Sequence, residues 1–321
     1  MPAATRNEPR AILTARRNKG MIERILSKWQ LYLFLLLPLL YLVIFSYIPM
    51  AGLQIAFKKF MPALGIWGSE WIGFDHFVKF FNSYQFQRVL VNTVAISFYS
   101  LIAGFPVPIL LALMLNSMRS AWYKKTVQMV TYIPHFISTV VMVGILLQLF
   151  NPRIGVFSLM IGALSGGEPP NLIAKPETFS HMYVWSGIWQ SMGWSSIIYI
   201  AALAGVDPEL HEAAQIDGAS RFKRVLHIDF PCLLPTATIL LILAAGQIMN
   251  VGFEKIFLMQ NNLNLRASEV ISTYVYKVGL SSSAQNFSYA TAIGLFNSLV
   301  NFMLIISVNR ITKRMSNNSL W

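Results

Sequence analysis

The chain has 321 residues, 55% of them hydrophobic and only 12% charged, and its formal net charge is +12. Soluble globular domains carry about 25% charged residues, so the composition excludes an ordinary soluble enzyme and points to lipid. A basic chain in water would raise nucleic-acid binding, but here the basic residues flank long apolar runs, and orientation in a membrane accounts for them better.

In chain order, residues 1–30 form a basic arm, with Arg6, Arg10, Arg16, Arg17, Lys19, Arg24 and Lys28 against Glu8 and Glu23. The apolar run after it is too long for the core of a cleavable leader. Six runs near or above the ~20 residues that cross the hydrocarbon follow, at residues 31–50, 89–116, 127–150, 182–206, 230–252 and 289–308. Backbone amides in hydrocarbon must be bonded within their own segment. The runs therefore predict an all-α membrane protein with six transmembrane helices. Pro38, Pro106, Pro108 and Pro134 fall within or at these helices and predict kinks. The single cysteine, Cys232, rules out an internal disulfide and reads as structural.

Basic residues near span ends favour the cytoplasmic side. The arm, the second connection with Arg119, Lys124 and Lys125, and the tail at 309–321 with Arg310, Lys313 and Arg314 are all basic. They agree when both termini are cytoplasmic, as an even number of spans requires. Most of the 25 Lys and Arg then lie inside. The first connection, residues 51–88, faces out and holds Trp67, Trp71, Phe74, Phe77, Phe80 and Phe81, residues suited to the interface or to an outside partner.

The fourth connection and the start of the fifth run, residues 207–235, read DPELHEAAQIDGASRFKRVLHIDFPCLLP. Asp207 can cap a helix and Pro208 suits its first position. Glu209 and Glu212 sit near the positive end of that helix. Ala213 and Ala214 allow close approach by another surface. Gly218 can take the left-handed conformation that ends a helix, and Ser220 can start a second, with Phe222, Val225 and Leu226 on its apolar side. Pro231 is expected to stop it and lead into the fifth span. Two accounts stand for such a loop: a cytoplasmic partner, or a helix lying on headgroups.

Glu212-Ala213-Ala214, then Gly218, then Ile228, Phe230 and Pro231, resembles the EAA loop of permease subunits of type I bacterial ABC importers. Phe230 stands where that pattern has leucine. The stretches YIPMAGLQIAFKKF, YIPHFIS and EAAQIDGA are similar to the carbohydrate-uptake branch that handles oligosaccharides. The resemblance implies a type I ABC importer permease fold over residues 31–308, multi-pass in the inner membrane among its lipids. Its partners would be a second permease subunit, two ABC ATPase subunits, an extracytoplasmic solute-binding protein and a carbohydrate substrate. The resemblance also implies ATPase coupling through Glu212, Ala213, Ala214, Asp217, Gly218, Phe222 and Pro231, with Glu212 pairing a basic residue of the ATPase. ATP and Mg²⁺ would bind in those partners, and their motion would drive alternating access.

Leu164-Ser165-Gly166-Gly167 looks like an ATPase signature, yet it lies in an outward connection, and no Gly-Lys dipeptide supplies a P-loop. His76, His135, His181, His211 and His227 show no metal-binding spacing. The expectation is a non-catalytic subunit without a cofactor or metal of its own and without a nucleic-acid partner.

Polar side chains within spans tend to face a cavity or another helix. Gln247, Asn250 and Glu254 are spaced to share a helix face; Trp185 and Trp189 share another, with Gln190 adjacent and Trp194 further inward; Asn297 and Asn301 are one turn apart. Amides suit sugar hydroxyls and aromatic rings suit their C–H faces, so these residues form the expected substrate pathway. Helix packing is the competing account, because membrane helices use Asn and Gln as interhelical bonds. Outward Lys58, Lys59, Arg153 and Arg266 would suit an acidic solute, such as a uronic-acid oligosaccharide. The rivals are a permease for a non-carbohydrate solute of the same family, a secondary transporter, and a membrane-embedded enzyme. Against the secondary transporter, no duplicated half and no intramembrane acid pair is visible.

Overall fold

The computed structural model describes residues 28–281 and 285–315. Most of the basic arm and residues 316–321 of the tail therefore lie outside the described residues. The chain divides into two compact units, one ending at Gln54 and one beginning at Ile55.

In the first unit, α1 (Trp29–Leu42) runs through a π turn, Val43–Tyr47, into Ile48–Met50. Pro38 lies inside α1 without ending it. Residues such as Leu33, Phe34, Leu37 and Phe45 are exposed within this unit. A helix apolar on every side belongs in lipid or in a core.

The second unit opens with a small hairpin, β1 (Lys58–Lys59) antiparallel to β2 (Glu70–Trp71), and α2 (Asp75–Phe81). Phe57 anchors it, stacked on Trp71 at 5.7 Å and edge-on to Phe74 at 5.3 Å. The predicted second span is α3 (Tyr84–Gly104) followed directly by α4 (Pro106–Asn116), starting earlier than expected because Ser83 caps the Phe86 amide. The third prediction is corrected: it is not one straight helix. It comprises α5 (Ala121–Tyr132), a 3₁₀ turn at Ile133–Phe136 and α6 (Thr139–Leu149), bent by 99°. Pro134 lies in that turn and Ser138 caps the Val141 amide, so the chain restarts in a new direction.

Next come α7 (Val156–Ser165), which ends on left-handed Gly166, and α8 (Pro176–Leu203). The Leu164–Gly167 stretch is thus a helix end and turn. Then α9 (Pro208–Ile216), α10 (Arg221–Arg224), a π turn at Val225–Asp229 and α11 (Phe230–Ala245) follow. Pro231 does not stop a helix as expected. It sits where the π turn at Val225–Asp229 passes into α11, and the helical chain runs on through it, so Arg221–Ala245 is one apolar segment. The fifth span ends at Ala245 rather than 252. The chain continues through α12 (Phe253–Met259), α13 (Ile271–Tyr276) and α14 (Phe287–Met315). Helix α14 overruns the predicted end at 308, so the first part of the predicted tail is helical.

Four described segments are long and apolar enough to cross a membrane: Trp29–Phe57, Tyr84–Asn116, Arg221–Ala245 and Phe287–Lys313. The bent α5–α6 pair makes a fifth. Helix α8 is long enough, about 42 Å at ~1.5 Å per residue, but its serines, tryptophans and Gln190 keep it less apolar. Three apolar clusters hold the second unit together. Phe80, Val89, Tyr274 and Ile293 join α2, α3, α13 and α14; Ile96, Val143, Phe179 and Ile256 join α3, α6, α8 and α12; Ile109, Leu113, Tyr199 and Leu233 join α4, α8 and α11.

Candidate functional site

The loop between α8 and α11 builds itself from local devices. Asp207 Oδ1 accepts the Glu209 amide at 3.0 Å, which starts α9 with Pro208 in its first turn. Gly218 ends it with a φ of 76°, and the Ala219 amide donates back to the Ala214 carbonyl at 2.8 Å. Ser220 accepts the Lys223 amide and starts α10. Glu212, Ala213, Asp217, Gly218, Phe222 and Pro231 are exposed, and Ala214 is half-buried. Phe222 is 75% exposed and Ile216 88%. Two large apolar side chains thus stand bare on a well-capped helix pair.

One buried carboxylate ties this loop to the bundle. Asp229, 2% exposed, accepts from Asn116 Nδ2 of α4 at 3.3 Å and lies 3.2 Å from His211 Nε2 of α9. Nothing in the sequence pairs these residues, because they stand far apart along the chain.

The second feature is a break. Helix α11 stops at Ala245 and the chain turns through 246–252 before α12. Broken backbone at membrane depth needs partners from its neighbours. Asn301 Oδ1 of α14 accepts the Met249 amide at 3.0 Å, and the Tyr183 hydroxyl of α8 accepts the Gly252 amide at 3.2 Å. Asn250 Nδ2 donates to Gln247 Oε1 at 2.7 Å, and Asn297 Nδ2 donates to Asn250 Oδ1 at 3.1 Å. Beside this break, α3, α4 and α8 enclose an open-sided cavity of about 480 Å³, lined among others by Ser97, Tyr183, Gln190, Gln247, Asn250 and Lys255. That volume lies within the ~300–1,000 Å³ of small-molecule pockets.

Residues 104–317 match the family described as the binding-protein-dependent transport system inner membrane component. The chain belongs to that family. It is a multi-pass membrane permease of the carbohydrate ABC importer type, a non-catalytic subunit. The permease is 43% identical over 295 residues to Protein LplB of Bacillus subtilis (strain 168), covering 92% of each chain. It is 39% identical over 310 residues to the polygalacturonan/rhamnogalacturonan transport system permease protein YteP of the same organism, covering 97% of this chain and 96% of that one. It also matches a chain of a bacterial alginate ABC transporter in complex with an alginate pentasaccharide-bound periplasmic protein. There the TM-score is 0.85 and the identity 38%, over 94% of this chain and 100% of that one.

In the permease, Gln190, Gln247 and Asn250 meet in the cavity, although they come from two separate predicted groups. Glu254 does not share a helix face with Gln247 and Asn250, because α11 ends before them. It is exposed on α12, outside the lining. Asn301 is buried against the Met249 amide, and neither it nor Asn297 lines the cavity. The tryptophans are likewise absent from the lining: Trp185 Nε1 donates to the Tyr99 hydroxyl at 2.9 Å, and Trp194 stacks on His135 at 4.5 Å. Trp189 is exposed on α8.

Lys58 is also corrected as an outward charge: it is buried, donates to the Ile66 carbonyl at 2.9 Å and lies beside the Trp67 and Trp71 rings. The sequence reading missed Lys255, Tyr183, Asp229 and Glu269. Lys255 is 9% exposed on α12, which is not one of the apolar spans.

Proposed function

We propose that this permease forms half of the translocation pathway for an acidic oligosaccharide, driven through residues 207–235 by ATPase subunits on the cytoplasmic face. The observation that carries the solute class is the 39% identity, along nearly the whole chain, to a relative named for polygalacturonan and rhamnogalacturonan. Galacturonate polymers are rich in carboxylates, and alginate, named for the structural relative, is a uronate polymer too.

In this reading α8 is the fourth of six spans, both termini are cytoplasmic, and the membrane is the inner one. The exposed Glu212, Ala213, Asp217, Gly218 and Phe222, with Ala214, meet the ATPase, while Pro231 sets the start of α11. The buried Asp229–His211 contact gives the loop a handle on α4 and α11. Gln190, Gln247 and Asn250 offer amides to sugar hydroxyls. Trp185, Trp189, Trp194, Asn297 and Asn301 shape the walls, and Glu254 stands outside them. A second permease completes the pathway, a solute-binding protein delivers the sugar, and ATP and Mg²⁺ bind in the two ATPase subunits. Alternating access then needs only that inward-open and outward-open states be biased by nucleotide and solute.

Two measurements test this. The permease purified with its native partners should show ATP turnover stimulated by short galacturonides; stimulation by a non-carbohydrate solute alone would favour the rival permease class. A Glu212→Cys variant in intact cells should resist a membrane-impermeant maleimide. Labelling from outside would overturn the orientation.

A further inference from the structure

We propose that Lys255 is a carboxylate-binding residue of the permeation cavity, pairing its ammonium with a uronate of the passing sugar chain. The inference rests on the reading of this chain as a permease for acidic oligosaccharides.

The argument begins with buried charge. A buried ion is costly unless it is paired, and among the described residues the two buried carboxylates have partners fixed within the chain. Glu269, 1% exposed, holds Arg88 and Lys277. Asp229 has His211. The buried Lys58 also has no carboxylate partner, but its ammonium donates to the Ile66 carbonyl beside two tryptophan rings and is not part of the cavity lining. Lys255, 9% exposed, lines the cavity, and no carboxylate pairs with it among the described residues. Its Nζ donates to the Tyr183 carbonyl at 2.9 Å and stands 4.8 Å from the Tyr183 ring. An ammonium has three donors, so this contact holds the group in place and leaves donors for a solute.

The surroundings keep that group reachable. Gly187 faces it from α8, and a Cβ there would lie 3.2 Å from Nζ. Any side chain at that position would crowd the ammonium. Gln190, Gln247 and Asn250 line the same cavity and suit the hydroxyls of the ring that carries the carboxylate. Glu254, the adjacent acid, is exposed and outside the lining, so it does not neutralise the site. An ammonium–carboxylate hydrogen bond is roughly twice as strong as a neutral one. A single lysine can thus separate a uronate chain from its neutral counterpart.

The test uses the complete transporter, with native second permease, ATPases and binding protein, in proteoliposomes. The probes are trigalacturonate and its methyl ester, which match in length and differ in charge. The same binding protein in every sample cancels its own preference when variants are compared. Lys255→Met should lower uptake of the acid at least about tenfold while leaving ester uptake unchanged, and Lys255→Arg should retain the acid. An acid-to-ester ratio in Lys255→Met equal to wild type overturns the proposal. A second measurement needs no variant: trigalacturonate, but not the ester, should protect Lys255 of the wild-type complex from amine acylation, read by peptide mass spectrometry. Absence of protection overturns the proposal as well. If neither sugar drives uptake or ATP turnover by wild type, it is the acidic-carbohydrate reading that fails, and the role of Lys255 falls with it.

Discussion

The loop at 207–229 and the break at 246–252 both interrupt helix, and they are held in opposite ways. The loop is built largely from its own residues: Asp207 and Ser220 cap, and Gly218 turns. The break borrows its partners, Asn301 from α14 and Tyr183 from α8. A self-capped pair of helices keeps its shape without help from the rest of the bundle. A borrowed turn is shaped by the helices around it, so their movement must reshape the cavity beside it. In the proposed function, self-contained structure suits the part that receives force, and dependent structure suits the part that must change.

The largest expected effect sharpens the dependent side. Glu269→Ala removes the acid between Arg88 of α3 and Lys277, and it should destabilise the chain by about 3 kcal/mol. Thermal melting of the purified complex in detergent reads this directly, and an unchanged midpoint would show that the region stands without the distant charge. Asn301→Leu comes next. It leaves the Met249 amide without its acceptor, at a cost of about 2 kcal/mol. Amide exchange should rise at 246–252 and stay unchanged at 207–224; equal protection at both would erase the contrast.

Gly218→Val tests the self-contained side. Space is open around Gly218, so only the backbone resists, by about 1–2 kcal/mol. ATPase co-purification and transport should both drop while the rest of the chain stays folded. Wild-type values for both would count against the loop as the docking element.

The smallest effect lies where His76 of α2 meets the β1–β2 hairpin. Burial lowers the pKa of His76 below 6.5, with its Nε2 at 3.2 Å from the Lys58 carbonyl. The neutral ring is therefore favoured in the folded hairpin. That stability is present above about pH 6.5 and is lost as pH falls through the lowered value. Tryptophan fluorescence melts of wild type should weaken between pH 7 and pH 5, and those of His76→Gln should not. A flat wild-type profile would mean that the ring charges without cost.

The contrast also explains what could be read in advance. Caps and a left-handed glycine act within a few residues, so Asp207, Gly218 and Ser220 announce the loop in the sequence. Apolar runs likewise announce most of the helices, because lipid demands length and composition. The 99° bend at Pro134 was legible only as a kink, since the proline disrupts a helix without setting its new direction. Glu254 was misplaced because periodicity assumes that a helix continues, and nothing local shows that α11 stops at Ala245. Lys58 was misplaced and Lys255 missed for the same reason: the sequence shows a charge, and packing decides whether it is buried beside tryptophans or lines a cavity.

By itself, then, the sequence determined the membrane class, most of the apolar helices and the capped loop, since each follows from composition or from neighbours within one or two helical turns. The tertiary structure alone decided which polar side chains meet. Asn301 reaches Met249, Tyr183 holds Gly252, and Asp229 joins His211 to Asn116, across 18 to 113 positions of chain. Such contacts form only when helices distant in sequence pack side by side and leave a backbone amide or a carboxylate that one of them must satisfy.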